Sequence, residues 1–383
     1  MRHRELPLVK RPGIHARDFS PAFRLRGKCA RVRSGGVLLE TTRDGLYCAA
    51  GDFFIDPWKP VDRALITHAH ADRAHPGNDA YLTAEPGAGL LRECVGADKF
   101  IQAQPYGEPL TINGVGVTFF PAGHILGAAQ IRLESDGEVW VFSGDYKLAS
   151  DPTCEAFVPV SCDVFVTEGT FALPVFQWRP PRAVFAHIDD WWQKNQAAGH
   201  TSVLLAEEMG KAQRLLAGLD AEMGPLLVHD SIARFLPAYA AAGVELPRTL
   251  TATPEAVRAT QGRGLVIAPP ATINSRWLAG LESASVALAS GLMQVRGARN
   301  RQNIDHGFVF SNHADWLGLL TAIRNSEAAT VLVTHGHVHP LVRWLQQQGL
   351  RAAELPTLFQ GETTLAADEL ESSDAPQPET RRG

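Results

Sequence analysis

Two histidines and an aspartate follow an apolar segment of the chain that ends at Thr67. His68 and His70 are two residues apart, so in an extended segment both imidazoles project from one face and can reach the same cation. Asp72 adds a carboxylate oxygen two residues further on. Zinc accepts imidazole nitrogen and carboxylate oxygen in sites with three or four protein ligands. The spacing therefore predicts a metal site.

Further residues of the same chemical types come directly after other apolar runs or in glycine-rich turns: His124, Asp145, Glu168, His313 and His335. Loops at one edge of a rigid sheet are where converging ligands are displayed. Two adjacent metal positions follow from this set. One would take His68, His70 and His124, and the other Asp72 and His335, with Asp145 bridging both. Two cations about 3.5–4 Å apart can clamp the oxygens of a phosphodiester during in-line attack.

The elements that position these residues change in rhythm along the chain. Residues 36–171 contain short β-rich runs separated by Gly, Pro and Asp, whereas the segment after residue 181 alternates strands with helices. Short strands followed by polar loops return after residue 301. We therefore predict a domain of residues 36–182 and 302–366, split by an inserted α/β domain of residues 183–301.

Composition limits the class of protein. The chain has 383 residues, 45% hydrophobic content and a net charge of −5, typical of a globular protein larger than one core usually serves. Since no apolar run approaches the ~20 residues that span a bilayer, and no secretory signal is recognisable, we expect a soluble, cytoplasmic protein without membrane contact. The five cysteines lack a CxxC pair and predict buried thiols.

Both ends of the sequence differ from the middle. Residues 1–34 hold ten Lys or Arg against two acidic residues, so residues 1–35 are predicted to form a basic arm. Such an arm favours phosphate backbones, although a solvated terminus without a partner is an equally good interpretation. Residues 367–383 are predicted to be disordered.

The order of the motifs resembles that of the β-CASP nucleases of the metallo-β-lactamase fold. The shared motifs are His-x-His-x-Asp from His68, Pro-Ala-Gly-His124, Ser-Gly-Asp145, Thr-Glu168-x-Thr, Ser-x-His313-Ala-Asp and Thr-His335-Gly. The segments Phe54-Ile-Asp-Pro-Trp58, Gly123-His-Ile-Leu-Gly127, Gly144-Asp-Tyr-Lys147 and Gly210-Lys-Ala-Gln-Arg214 are similar to those of bacterial ligase-associated DNA exonucleases. The resemblance runs from about residue 36 to residue 355.

This resemblance implies an α/β fold, an αββα sandwich with an inserted β-CASP domain. It implies a metal-dependent DNA exonuclease that acts in repair beside an ATP-dependent DNA ligase and a helicase. The cofactor would be Zn²⁺, as one or two ions, with Mn²⁺ as the alternative. Asp72 and Glu168 would be catalytic residues, His313 would donate a proton to the leaving oxygen, and His335 would be a metal ligand.

The chain departs from the family pattern at Arg73, where most of these nucleases have a histidine that binds the second metal. A guanidinium cannot coordinate a metal, so the second metal site is in question. His75 is a possible substitute ligand, and His337 or His339 could also take this part, although we interpret both as polar rim residues. Two alternatives to the nuclease stay open: a catalytically impaired nucleic-acid-binding relative, which Arg73 motivates, and a small-molecule metallo-hydrolase on the same fold.

Five basic residues are candidates for nucleic-acid contact. Lys211 and Arg214 follow Gly210 at a predicted helix start, where backbone N–H groups and the helix dipole favour phosphate. Arg296, Arg299 and Arg301 form a second basic cluster. Both groups could instead be solvated surface charge, and neither would read a base sequence, because phosphate contacts position a nucleic acid without specifying it.

Overall fold

The computed structural model describes residues 37–281, 283–295, 297 and 304–359. The predicted basic arm and the predicted disordered tail lie outside the described residues, as do Arg296, Arg299 and Arg301. None of the helices in the described ranges has both the length and the apolar character needed to cross a bilayer.

The first half of the chain is rich in strands. These are β1 (Glu40–Thr41), β2 (Leu46–Cys48), β3 (Phe53–Ile55), β4 (Arg63–Ile66), β5 (Ala80–Ala84), β6 (Phe100–Gln104), β7 (Leu110–Ile112), β8 (Val115–Pro121), β9 (Ala129–Ser135), β10 (Glu138–Phe142) and β11 (Val164–Gly169). One helix, α1 (Ala88–Val95), lies between β5 and β6.

Helices and strands then alternate as α2 (Pro181–Ala198), β12 (Thr201–Leu205), α3 (Lys211–Gly218), β13 (Leu226–Val228), α4 (Asp230–Ala233), α5 (Leu236–Ala241), β14 (Leu250–Thr251), α6 (Pro254–Ala259), β15 (Leu265–Ala268), α7 (Arg276–Ala279), β16 (Ala284–Ala289) and β17 (His306–Phe308). The described chain continues through α8 (Trp316–Asn325), β18 (Thr330–Gly336), α9 (Val338–Gln347) and β19 (Arg351–Glu354).

Three sheets form from these strands. The first has the order β1-β2-β3-β4-β5-β6 and the second the order β19-β18-β11-β10-β9-β8-β7. In the second sheet β18 pairs in parallel with β11, although the alternating segment separates them in sequence. The early and late parts of the chain therefore build one sheet together. One apolar cluster joins residues of β4, β5, β10, β11 and β18 to α1, α8 and α9.

The third sheet, in the order β14-β13-β15-β12-β16-β17, is parallel throughout. Its strands are apolar on both faces, as expected where helices cover both sides of a sheet. Leu204 packs in a cluster with α2 and α3, whereas its neighbours Val203 and Leu205 pack in the opposite cluster with α6 and α7. β17 belongs to this sheet, although it follows the predicted end of the insertion at residue 301. The domain limits themselves stay a prediction.

The second sheet places polar groups at one edge. β10, β11 and β18 are adjacent and parallel, so their carboxyl ends lie side by side. The residues at or just after those ends are Asp145, Glu168 and His335. Asp72 lies in a single turn, in which the N–H groups of Arg73 and Ala74 donate to the carbonyl of His70.

Candidate metal centre

Three histidines meet at the ends of two strands. His68 and His70 follow β4, and His124 follows β8. Each pair of rings has a centroid separation of 4.9 Å, and the potential ligand atoms lie within 4.8 Å of one another. His68 and His124 are buried, and His70 is partly exposed. The structure thus brings together the three residues that the sequence proposed for the first metal position.

The ring of His68 is oriented by a buried hydroxyl and a buried carboxylate. Asp56 lies just after β3 and accepts hydrogen bonds from the Thr67 N–H at 2.8 Å and the Thr67 hydroxyl at 2.6 Å. The hydroxyl oxygen lies 3.0 Å from His68 Nδ1. The Thr67 hydroxyl has one proton, which it donates to Asp56. Its oxygen therefore accepts the hydrogen bond from His68 Nδ1–H. The buried Nε2 of His68 carries a lone pair and has no hydrogen-bond partner among the described residues.

The other two rings are held in the same manner by backbone carbonyls. His70 Nε2 lies 3.2 Å from the Met209 carbonyl oxygen, and His124 Nδ1 lies 2.9 Å from that of Asn312. A carbonyl only accepts, so each of these nitrogens carries a proton. The opposite nitrogens, His70 Nδ1 and His124 Nε2, face each other at 3.2 Å as two lone pairs. Two nitrogens on one tetrahedral zinc ion lie about 3.3 Å apart, so this arrangement fits a cation.

Burial favours the neutral form of His68 and His124. It lowers the pKa of His68 and of His124 well below the ordinary value, and neighbouring histidines lower the His124 pKa further. Asp145 opposes the shift at both residues. Neutral imidazole is the form that binds a metal ion, so at His68 and His124 protons compete with a cation only below the usual imidazole range.

The buried Asp56 carboxylate gives a direct test of this positioning, because it accepts the Thr67 hydroxyl proton. In an Asp56→Asn variant the side-chain amide can donate to Thr67, which then donates to His68 Nδ1 and moves the ring proton to Nε2. We expect the zinc affinity, measured by competition with a chromophoric chelator, to fall about 10–100-fold. Asp62→Asn, which changes an exposed carboxylate before β4, is the matched control and should leave the affinity unchanged. Equal affinities for both variants would contradict the assigned orientation.

A second group of metal-type side chains lies beside the first. Ligand atoms of Asp145, Glu168 and His335, all buried, lie within 4.8 Å of one another. Asp145 Oδ2 lies 3.5 Å from His68 Nε2, which connects the two groups. The loop before Asp145 packs closely against Thr67 because its residue 144 is glycine. Gly144 has a φ of 57°, and a Cβ atom there would lie 2.9 Å from Thr67. Thr334 holds His335 as Thr67 holds His68, with its hydroxyl 2.7 Å from Nδ1.

Arg73 is the fourth side chain of this second group. It is fully buried, and its Nη2 donates to Asp145 Oδ1 at 2.7 Å and lies 3.4 Å from His335 Nε2. Burial opposes the charge of Arg73, but Asp145 and then Asp72 outweigh it and raise the pKa of the guanidinium. Burial likewise favours the neutral form of Asp145, yet Arg73 and His335 hold the pKa of that carboxyl well below its usual range.

The remaining predicted ligands are less central. Asp72 is partly exposed, and its Oδ2 lies 3.5 Å from Arg73 Nε. His75 is partly exposed, and His337 stacks on Phe176 with a centroid separation of 5.8 Å. Within the described ranges, none of these joins a group of three metal-type residues. Metal ligation by Asp72, and substitution by His75, stay predictions.

Glu168 and His313 form a buried pair. Glu168 Oε1 accepts from the Tyr146 N–H at 2.8 Å, and Oε2 lies 2.9 Å from His313 Nδ1. A carboxylate that accepts from Nδ1–H fixes the imidazole ring and stabilises its protonated form. The ring centroids of His313 and His124 are 4.6 Å apart, so the pair borders the three-histidine group.

The two basic residues at the start of α3 are buried. Lys211 Nζ donates to Glu207 Oε1 at 3.0 Å. Arg214 Nε lies 3.3 Å from Asp151 Oδ2, and its Nη1 donates to Asn312 Oδ1 at 3.0 Å. The structure thus directs both charges into the protein rather than to the surface position that we expected. Phosphate contact by Lys211 and Arg214 stays a prediction.

Sequence reasoning missed the residues that support the centre. Asp56 follows a strand, as His68, His70 and His124 do, and this position in the sequence could have marked it as a residue of the site. The carbonyl groups of Met209 and Asn312 carry no sequence signal, since every residue has one. Phe359, which lies 3.7 Å below the Arg73 guanidinium, is equally unmarked in the sequence.

Comparison with known proteins gives three informative relatives. The chain is 29% identical over 311 residues to a probable DNA ligase from Opitutus terrae, which covers 80% of this chain and 30% of that protein. It is 34% identical over 129 residues to endoribonuclease ysh-1 from Neurospora crassa, with 32% and 15% covered. It is 40% identical over 118 residues to endoribonuclease ysh1 from Aspergillus fumigatus, with 29% and 13% covered. The chain spans about a third or less of the length of these curated relatives.

Among solved structures, one of a protein of unknown function from Enterococcus faecalis aligns with a TM-score of 0.53 at 11% identity, covering 78% of this chain and 80% of that one. No protein-family model matches the chain. The mixed α/β architecture, the ordered motifs and these relatives confirm the resemblance found in the sequence. The chain has the mixed α/β, metallo-β-lactamase/β-CASP fold that the endoribonuclease relatives imply, and it resembles the ligase-associated nucleases of that branch.

Proposed function

We propose that the chain is a metal-dependent phosphodiester hydrolase that acts as a DNA exonuclease in repair. The observation that carries this proposal is the inner face of the three-histidine group. All three protons point outward to acceptors, which leaves three converging lone pairs beside the Glu168–His313 pair. Such a face binds a divalent cation next to a group that can move protons.

The histidine group selects the metal by its chemistry. Three buried imidazole nitrogens suit zinc, with Mn²⁺ as the alternative at a centre that also offers carboxylates. When bound, the ion polarises a phosphoryl oxygen and lowers the pKa of water. His68, His70 and His124 would hold the ion, each donating its remaining ring N–H to the acceptor on its outer side.

His313 is the residue placed to move a proton. Its Nδ1 is bonded to Glu168, so exchange with a substrate takes place at Nε2 on the other side of the ring. Glu168 stabilises the protonated ring, from which the proton passes to the leaving oxygen. In this proposal Glu168 positions His313.

The choice of DNA comes from one relative. The protein from Opitutus terrae, which aligns with 80% of this chain, is named a probable DNA ligase. The shorter alignments are to proteins named endoribonucleases, which makes RNA the competing substrate. A DNA ligase and a helicase as partners, and a cytoplasmic location, are parts of the same proposal.

The test uses the full chain with 5′- or 3′-labelled DNA, the same sequences as RNA, and a generic ester. We expect zinc-dependent release of nucleotides from DNA ends, lost with a chelator and restored by zinc. A His313→Asn variant should keep its zinc and lose cleavage about 10²–10⁴-fold, because only the proton transfer is removed. Faster cleavage of RNA, or of the ester, would reassign the substrate. Cleavage that survives complete metal removal would contradict the proposal.

A second candidate function rests on Arg73. Its place between Asp145 and His335 favours a nucleic-acid-binding relative without turnover. That candidate predicts tight, salt-sensitive DNA binding and no product in the assay above. It also predicts that Arg73→His restores cleavage.

A further inference from the structure

Arg73 lies where two metal-type side chains face each other. Asp145 Oδ1 and His335 Nε2 are 3.3 Å apart, a separation that one bound cation could bridge. Arg73 Nη2 approaches both atoms, at 2.7 Å from the carboxylate oxygen and 3.4 Å from the imidazole nitrogen. The guanidinium thus occupies the space beside the two atoms that a second metal ion would have to contact.

The guanidinium is held in this place from several sides. Its carbon lies 3.7 Å from the centroid of the Phe359 ring, a cation–π contact, and Phe359 is itself buried against Trp58 and Phe142. Asp72 Oδ2 lies 3.5 Å from Nε. A fully buried arginine with a ring on one face and carboxylates beside it cannot leave without breaking these contacts together.

Charge supports the same conclusion. Arginine stays protonated in proteins and offers donors alone, so it cannot join Asp145 and His335 as a ligand. A divalent ion at those atoms would face a fixed positive charge at close range in a buried environment, where screening is weak. The three-histidine group differs, since its closest polar partners are uncharged carbonyls and a hydroxyl.

We propose that the Arg73 guanidinium permanently replaces the second cation, so that the chain binds one divalent metal ion, at His68, His70 and His124. The proposal rests on the metal centre of the proposed function and makes Arg73 a built-in cation of that centre. It gives Asp145 the charge partner that a second metal would otherwise supply. It also predicts that the metal count depends on this one side chain.

The experiment counts zinc by mass spectrometry on full-length protein that has been stripped of metal, incubated with excess zinc and desalted. The wild-type chain is expected to hold one zinc ion. Arg73→His removes the guanidinium and offers an imidazole beside Asp145 and His335, so its count should rise to two. Arg63→His is the matched control, because Arg63 also pairs with an aspartate, Asp52, outside the centre. The control should stay at one.

Two further readouts keep the test decisive. Two zinc ions on the wild-type chain would overturn the proposal, even if no variant folds. A folded Arg73→His protein that stays at one ion would overturn it as well. Metal-free Arg73→His should melt at a lower temperature than the wild-type protein, and zinc should raise its melting temperature more. One zinc ion on a wild-type chain without any cleavage would contradict the proposed function and leave the Arg73 assignment standing.

Discussion

Replacing His68 with alanine is expected to abolish metal binding and with it phosphodiester cleavage. His68 Nε2 is buried and aimed into the group with His70 and His124, and no other described residue bonds to it. Two remaining imidazoles leave an incomplete site for zinc. Since a metal ion supplies several kcal/mol of transition-state stabilisation, cleavage should fall by at least about 10³-fold. Zinc content and cleavage rate would be measured on the same preparation.

His75→Ala is the matched control for this substitution. His75 lies seven residues away, is partly exposed and joins no group of three metal-type residues in the described chain. Its zinc content and cleavage rate should stay within about twofold of the wild-type values, as for most surface substitutions. Zinc lost from the His75 variant and kept by the His68 variant would reverse the ligand assignment and support His75 as a substitute ligand. Circular dichroism on both variants checks the fold.

The sequence predicts much of this centre because the positions of its ligands follow from the strand topology. His124 and Asp145 follow strands and His335 lies at the end of one, and strands in one sheet end at common edges. The alternating pattern after residue 181 also predicts the parallel third sheet, since both sheet faces must be apolar there. Spacing alone was therefore enough to propose which side chains converge.

The contacts of individual charged side chains could not be predicted in this way. In the sequence, Arg214 is compatible with solvent or with phosphate and the partner of Arg73 is unspecified, but in the structure each bonds to a buried aspartate distant in sequence. The tautomers of His70 and His124 depend on carbonyl groups of residues in other parts of the chain. Such contacts follow from tertiary packing, which no local pattern encodes.

Asp151→Asn is expected to destabilise the protein by about 3–5 kcal/mol, because it leaves two buried cations without their carboxylate. Asp151 Oδ2 accepts from Lys147 Nζ at 2.7 Å and lies 3.3 Å from Arg214 Nε. Burial lowers the pKa of Lys147 and of Arg214, and Asp151 opposes the shift in both. The free energy of unfolding, from urea titration of metal-free protein, measures the effect. Asp190→Asn, which removes the exposed pair with Lys194, should change it by no more than about 0.5 kcal/mol.

The same substitution should weaken zinc binding, although Asp151 touches no ligand. Asp151 holds Arg214, and Arg214 Nη1 donates to Asn312 Oδ1. The backbone carbonyl of Asn312 in turn accepts from Nδ1 of the metal ligand His124 and orients its ring. Adding Lys147→Met to Asp151→Asn removes one unpaired charge and should recover part of the lost stability. It should not recover zinc affinity, because Arg214 still lacks its anchor. Recovery of both together would show that Asp151 acts on the metal centre only through global stability.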